Sequence, residues 1–247
     1  MRRLLAPALL VLLGLGLTLA QAGGDKKEEK KNPAKKEAPK LPPNKGESKT
    51  MKLFDGKTLD GWVGYKDLWS VEDGVIIGRN EKPLSVSTYL LTKEKFTDFR
   101  VTFDFKLAKS EMHSGIAFWG QYPPKNTKFK DSDRSEFTFQ GHLVMFPSGW
   151  GMYDLYRRNG LPVDGGPGRK INKQHDWNHI EVLAQGNRVR VAGNGVAIVD
   201  WYDPQPDLIQ ASPLGLQLHS NNVPQEVQFK NIEIETFPKE DRLLTVK

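Results

Sequence analysis

Cysteine is absent from all 247 residues. Disulfide stapling and lipid modification of a cysteine are therefore excluded, and the fold must rest on its core. The sequence also lacks HExxH, GxSxG, a P-loop and a GxGxxG opening a helix, which removes several familiar enzyme classes. Convincing amphipathic helices are missing. Long apolar runs are missing too, apart from Leu4 to Leu19, which is shorter than the ~20 residues a membrane span needs. Preceded by Arg2 and Arg3 and followed by Ala20-Gln21-Ala22, that run reads as a cleaved secretory signal over residues 1–22. The expectation is an exported protein, periplasmic, cell-surface or secreted, with no transmembrane span after cleavage.

An excess of positive charge on the folded part is lacking as well. The net charge is +6, from 36 basic and 30 acidic residues. Residues 23–50 are rich in lysine, glutamate and proline with almost no large apolar side chain, the composition of a flexible tether. Setting aside Arg2, Arg3 and the nine lysines and five acids of Asp25 to Thr50 leaves 25 of each sign in residues 51–247. The domain is neutral, so a nucleic-acid partner loses its electrostatic footprint.

What is present is alternation. Phe99, Val101, Phe103, Phe105 and Leu107 share one strand face, with Arg100, Thr102, Asp104 and Lys106 on the other. Asp73-Gly74, Gly186-Asn187 and Gly193-Asn194-Gly195 mark turns between short strands, and Leu161 to Arg169 reads as a loop. Leu214, Leu216 and Leu218 point inward, with Gln217 and His219 outward. Many short strands without intervening helices predict an all-β fold, an antiparallel β-sandwich of two sheets. Its domain spans residues 51–247.

The same alternation in Ser135 to His142, SEFTFQGH, places Glu136, Thr138, Gln140 and His142 on one face and Phe137 and Phe139 on the other, toward a core. The first set is a row suited to a polar ligand. Trp119 either stands on that face as a platform for a sugar ring or packs in the core. Tyr153 and Arg157 share a further strand face. His175 and His179 read as solvent-facing or structural. A sandwich glycosidase ordinarily needs two carboxylates. Here the E-x-D-x-E arrangement of sandwich glucanases reads E-F-T-F-Q, and Asp133 points to the opposite side of an extended strand.

In order, the blocks LFDGKTLDGW, WSVEDGVIIG, FTDFRVTFDFKLAKSEMHSGIAFWG, GMYDLY, DWNHIEVLAQGNRVRVAGNGVAIVDW and SPLGLQLHSNNVPQEVQFKNIEI resemble the 3-keto-disaccharide hydrolase domain family. The resemblance covers nearly all of residues 51–237 and implies a jelly roll of the concanavalin A-like lectin/glucanase type. Where that family commonly reads E-[FVI]-Q-[IL], this chain has Glu136-Phe137-Thr138-Phe139. The implied activity is glycoside hydrolysis on 3-keto-disaccharides or related oxidised glycosides. A C3 ketone acidifies the C2 proton, so one base suffices to start elimination, and no carboxylate nucleophile is required. Glu136 or His219 is the candidate base; Gln217, Gln140 or a bound divalent cation such as Ca²⁺ is the candidate holder of the enolate oxygen. Trp119, Gln140, His142, Tyr153, Arg157 and Gln217 are the expected substrate contacts. The competing expectation is a non-catalytic, lectin-like carbohydrate-binding module on a stalk.

Overall fold

In a computed structural model of the chain, the structure describes residues 37–122, 134–146, 151–156, 159–161 and 166–247. The described strands begin with β1 (Lys49–Lys52), β2 (Trp62–Val63), β3 (Trp69–Glu72), β4 (Val75–Asn80) and β5 (Thr88–Thr92). They continue with β6 (Phe99–Lys109), β7 (Ser114–Gln121), β8 (Gln140–Phe146), β9 (Gly151–Asp154) and β10 (Asn159–Gly160). After a six-residue helix α1 (Gly166–Ile171) come β11 (Asn178–Gln185), β12 (Arg188–Gly193), β13 (Val196–Tyr202), β14 (Gly215–Leu218) and β15 (Gln225–Thr236). The helix replaces part of the expected loop; fewer than two turns are too short to leave an apolar period in the sequence. None of the described helices is long and apolar enough to cross a membrane.

Turn chemistry sets the hairpins. Asp73 and Gly74 both take positive φ, 49° and 77°, the conformation that lets two residues reverse a twisted strand pair, here β3 into β4. The strands form two antiparallel sheets. The first has the order β13-β12-β11-β6-β15-β4-β3, with β1 also paired to β15; the second has the order β10-β9-β8-β7-β14-β5-β2. Between them lies the core. Every residue of the apolar face of β6 is fully buried, and the rings interlock across the sheets: Phe99 meets Phe118 at 5.6 Å between centroids and Phe105 meets Phe146 at 4.5 Å. Burying side chains of this size stabilises the fold by roughly 1.5–3 kcal/mol each.

The outer faces of the two sheets differ. On the first, the C-terminal segment folds back: the buried Glu181 carboxylate accepts bonds from the Leu244 and Thr245 amides and sits 3.1 Å from Arg100 Nε. On the second sheet the outer face carries the groove described below.

The expected tether needs correction at its C-terminal end. The Leu41 amide donates to Asn187 Oδ1 at 2.9 Å, the Asn44 amide donates to Asp98 Oδ1 at 2.9 Å, and Asn187 Nδ2 donates to the Pro39 carbonyl at 2.6 Å. Asp98 and Asn187 are buried, and β1 already begins at Lys49. A side-chain Cβ at Gly186 would lie 2.4 Å from the Leu41 carbonyl, so only glycine lets the segment pass. Backbone groups hold this segment, and composition does not report on them. The signal residues and residues 23–36 lie outside the described residues.

Candidate functional site

A cross-strand row of unequal side chains carries the small apolar cluster beside the groove. The register pairs Leu91 with Gly215, Gly215 with Ala117, Ala117 with Leu143 and Leu143 with Tyr153, so one line crosses five strands from large through small to large. Period-two alternation puts these five on the outer face, opposite the buried Leu90, Leu216, Ile116 and Val144. Gly115, one step along β7 on the same face, has no room for a side chain: a Cβ there would lie 2.3 Å from the Val144 carbonyl. Leu143 and Tyr153 of the row, with Tyr89 and Phe139 packed on its small middle, line a groove of about 500 Å³, within the range of small-molecule sites.

At one end of it stand two histidines. His113 immediately precedes β7 and His219 immediately follows β14; because those strands are antiparallel neighbours, both imidazoles arrive at the same level. Their ring centroids are 4.6 Å apart with planes at 70°. His219 Nδ1 faces the Ser220 carbonyl, which can only accept, so Nδ1 carries the proton and Nε2 keeps its lone pair. Burial pushes His113 down to about 4, and the neighbouring His219 adds to that shift. Burial also lowers His219, against an opposing effect of the Ser220 carbonyl. Both rings are thus neutral near pH 7. Gln217 Nε2 donates to the Tyr89 hydroxyl at 3.1 Å, while its Oε1 is buried without a protein partner. The Ser220 amide donates to Ser87 Oγ at 3.0 Å and fixes the strand end that carries His219.

Of the residues expected from sequence, His219, Gln217 and Tyr153 line this groove together. Glu136 does not line it; it occupies an exposed turn, where its amide donates to the Tyr65 hydroxyl at 3.1 Å. Strand β8 starts only at Gln140, and the preceding residues bend where Thr138 Oγ1 donates to the Ser135 carbonyl at 2.9 Å. The bend resets the alternation, so Phe139 packs on the groove side and His142 turns into the core, the reverse of the expected faces. Gln140 stands half-buried at the start of β8, opposite Gln121 and outside the groove lining.

His142 is thereby corrected from a ligand contact to a buried hydrogen-bond partner: its Nε2 lies 2.7 Å from Asp203 Oδ2, amid the rings of Trp119, Tyr156 and Trp201. Trp119 is also a core residue and no sugar platform. The β7–β8 register slips between Phe118 and Gln121, Trp119 takes φ 48°, and the indole N–H donates to the Thr97 carbonyl at 2.6 Å. Arg157 lies outside the described residues. His175 and His179 are exposed and paired, with Glu111 at 2.9 Å and Asp104 at 2.8 Å. Sequence reasoning passed over His113 and Asp203. For His113 the signal was available, since it shares its parity with Gly115 and Ala117, opposite Ile116 and Phe118.

The sequence profile described as the 3-keto-alpha-glucoside-1,2-lyase-like domain matches residues 49–235. The chain belongs to this family. A 3-keto-disaccharide hydrolase of Bacteroides thetaiotaomicron is 25% identical over 206 residues, which are 68% of this chain and 67% of that protein. Among solved structures, a candidate glycosyl hydrolase from Parabacteroides distasonis superposes with a TM-score of 0.54 at 21% identity, covering 76% of this chain and 94% of the other. A Bacillus subtilis protein of unknown function with a galectin-like fold gives 0.53 at 11% identity, covering 79% and 100%. Both structures share the sandwich. With its family domain the chain is glycoside-hydrolase-like. Among the described residues no three His, Asp or Glu side chains gather to hold a metal ion, and no step is assigned to one.

Proposed function

We propose that the groove binds glycosides oxidised at sugar C3 and cleaves them by elimination followed by hydration. His219 Nε2 removes the C2 proton, and the electron pair moves onto the C3 ketone oxygen as an enolate. Collapse of the enolate expels the C1 oxygen substituent, which takes up the proton, and water then adds across the C1–C2 double bond. His113 stays neutral and offers a ring N–H to the developing oxyanion; Gln217 Oε1 accepts a substrate hydroxyl. The observation that carries this reading is the pair of neutral imidazoles at one end of the groove. The family match and the Bacteroides relative support the sugar class.

Product analysis on the full chain with 3-keto-disaccharides beside their unoxidised parents is the test. Cleavage of the keto sugars alone is expected. Cleavage of the parents would replace the elimination with ordinary glycoside hydrolysis. A lectin-like binding module is the second reading, favoured because no carboxylate lines the groove among the described residues. Binding without turnover of either sugar set would establish it. The charged start, apolar run and Ala20-Gln21-Ala22 of the sequence support export of the chain, to be checked by cell fractionation.

A further inference from the structure

The registers divide the groove chemically along its length. His113, His219, Gln217, Ser87 and Ser220 gather where β7 begins and β14 ends. Toward the other end of β7 the lining becomes Leu143, Tyr153, Leu155, Phe139 and Thr138. Leu155 is anchored there by its amide, which donates to the Gly141 carbonyl at 2.7 Å, and the Phe139 ring lies against the Cβ-less faces of Gly120 and Gly141. β7 runs from Ser114 to Gln121 between the two ends, with a register slip after Phe118. With the sugar's C2 proton at His219, the leaving group extends toward this second end.

A glycosyl leaving group would bring several hydroxyls to that end. Among the described lining residues, Thr138 and Tyr153 are the polar side chains there, and the Thr138 hydroxyl already donates to Ser135. Those two side chains serve only part of a sugar's hydroxyls; the ones placed against Phe139, Leu143 and Leu155 lose water without gaining partners among the described residues, whereas an aromatic ring has no hydrogen bond to lose and buries apolar surface. We infer that this groove selects glycosides with an aryl or arylalkyl aglycone over disaccharides. The inference rests on the glycoside-cleaving reading above and narrows its substrate class.

The test compares phenethyl 3-keto-glucoside with a 3-keto-disaccharide on the full chain. Phenethyl alcohol is a weaker acid than a sugar hydroxyl, so leaving-group chemistry alone favours the disaccharide. The expected result is a kcat/KM at least about tenfold higher for the phenethyl compound. Leu155→Asn, at a half-buried rim position, should reduce that ratio several-fold while the circular dichroism stays unchanged. If neither compound turns over, the proposed reaction fails, and the two dissociation constants from calorimetry decide the aglycone preference on their own. Equal constants, a preference for the disaccharide, binding of neither, or a ratio indifferent to Leu155→Asn would overturn the inference.

Discussion

The imidazoles of His113 and His219 meet edge to face, 4.6 Å between centroids, at the end of a groove that shields both from water. Protonation of His113 is disfavoured by burial and by the neighbouring His219, and protonation of His219 by burial. The consequence for activity is an acid limb of kcat/KM below the pH at which an ordinary imidazole titrates. Profiles of wild type against His113→Gln, measured on a 3-keto glycoside, should show that limb moving upward as loss of the ring opens His219 to water.

Stability should follow the same groups. In the unfolded chain His113 takes up a proton near 6.5, and in the folded chain only near 4. Between those values the unfolded state binds more protons, so stability rises with pH across the window and is lost as pH falls from 6.5 toward 4. Urea midpoints collected through this range should show that slope, and His113→Gln should flatten it. Parallel profiles for the two proteins would contradict the burial of the ring.

Glu136→Gln and His219→Gln separate the two candidate bases. With Glu136 in an exposed turn, its substitution should change kcat/KM by less than about threefold, while removal of a general base at His219 costs on the order of 10²–10⁴-fold. Steady-state kinetics on the two purified variants distinguishes these outcomes directly.

The amide of Gln217 keeps one oxygen without a protein partner beside the histidines. Gln217→Met preserves the length of the side chain and removes that acceptor. A KM raised up to about tenfold with kcat nearly unchanged is expected for a contact made equally in ground and transition states. A matching fall in kcat would instead make it a partner of the transition state.

Asp203 acts on the fold. Its Oδ2 lies 2.7 Å from His142 Nε2 and its Oδ1 accepts the Gln205 amide at 2.7 Å, all away from the groove. Asp203→Ala leaves buried polar atoms stranded and should lower unfolding free energy by about 1–3 kcal/mol. Specific activity per folded molecule should be retained, as denaturation curves paired with active-fraction assays would show.

Legibility in the sequence varied with how strictly each segment keeps a strand's period. Leu214 to His219 carries the period without interruption, and its inward leucines and outward Gln217 and His219 stand where alternation puts them. Phe99 to Leu107 behaves likewise. The period fails where the backbone departs from extension: the turn before Gln140 inverts the faces of Phe139 and His142, and the bulge at Trp119 sends two successive aromatics inward. Neither departure is announced by a glycine at the displaced residue. The pairing of His113 with His219 depends on which strands are neighbours, a property of topology that local pattern does not contain. The docking of residues 39–44 escaped for another reason, since its partners are buried side chains more than fifty residues away along the chain.

The row Leu91, Gly215, Ala117, Leu143, Tyr153 leaves its small middle to the ring of Tyr89, which is itself a wall of the groove. Its tolerance to change is therefore lopsided. Trading one bulky group for another at Leu143 or Tyr153 alters a surface the ligand meets, but adding carbon at Gly215, where a methyl would already come within 2.9 Å of Leu91 and 3.1 Å of Tyr89, pushes on the wall from behind. A lineage of such chains can diversify its ligands at Leu143 and Tyr153, while the glycine that no ligand touches is obliged to stay.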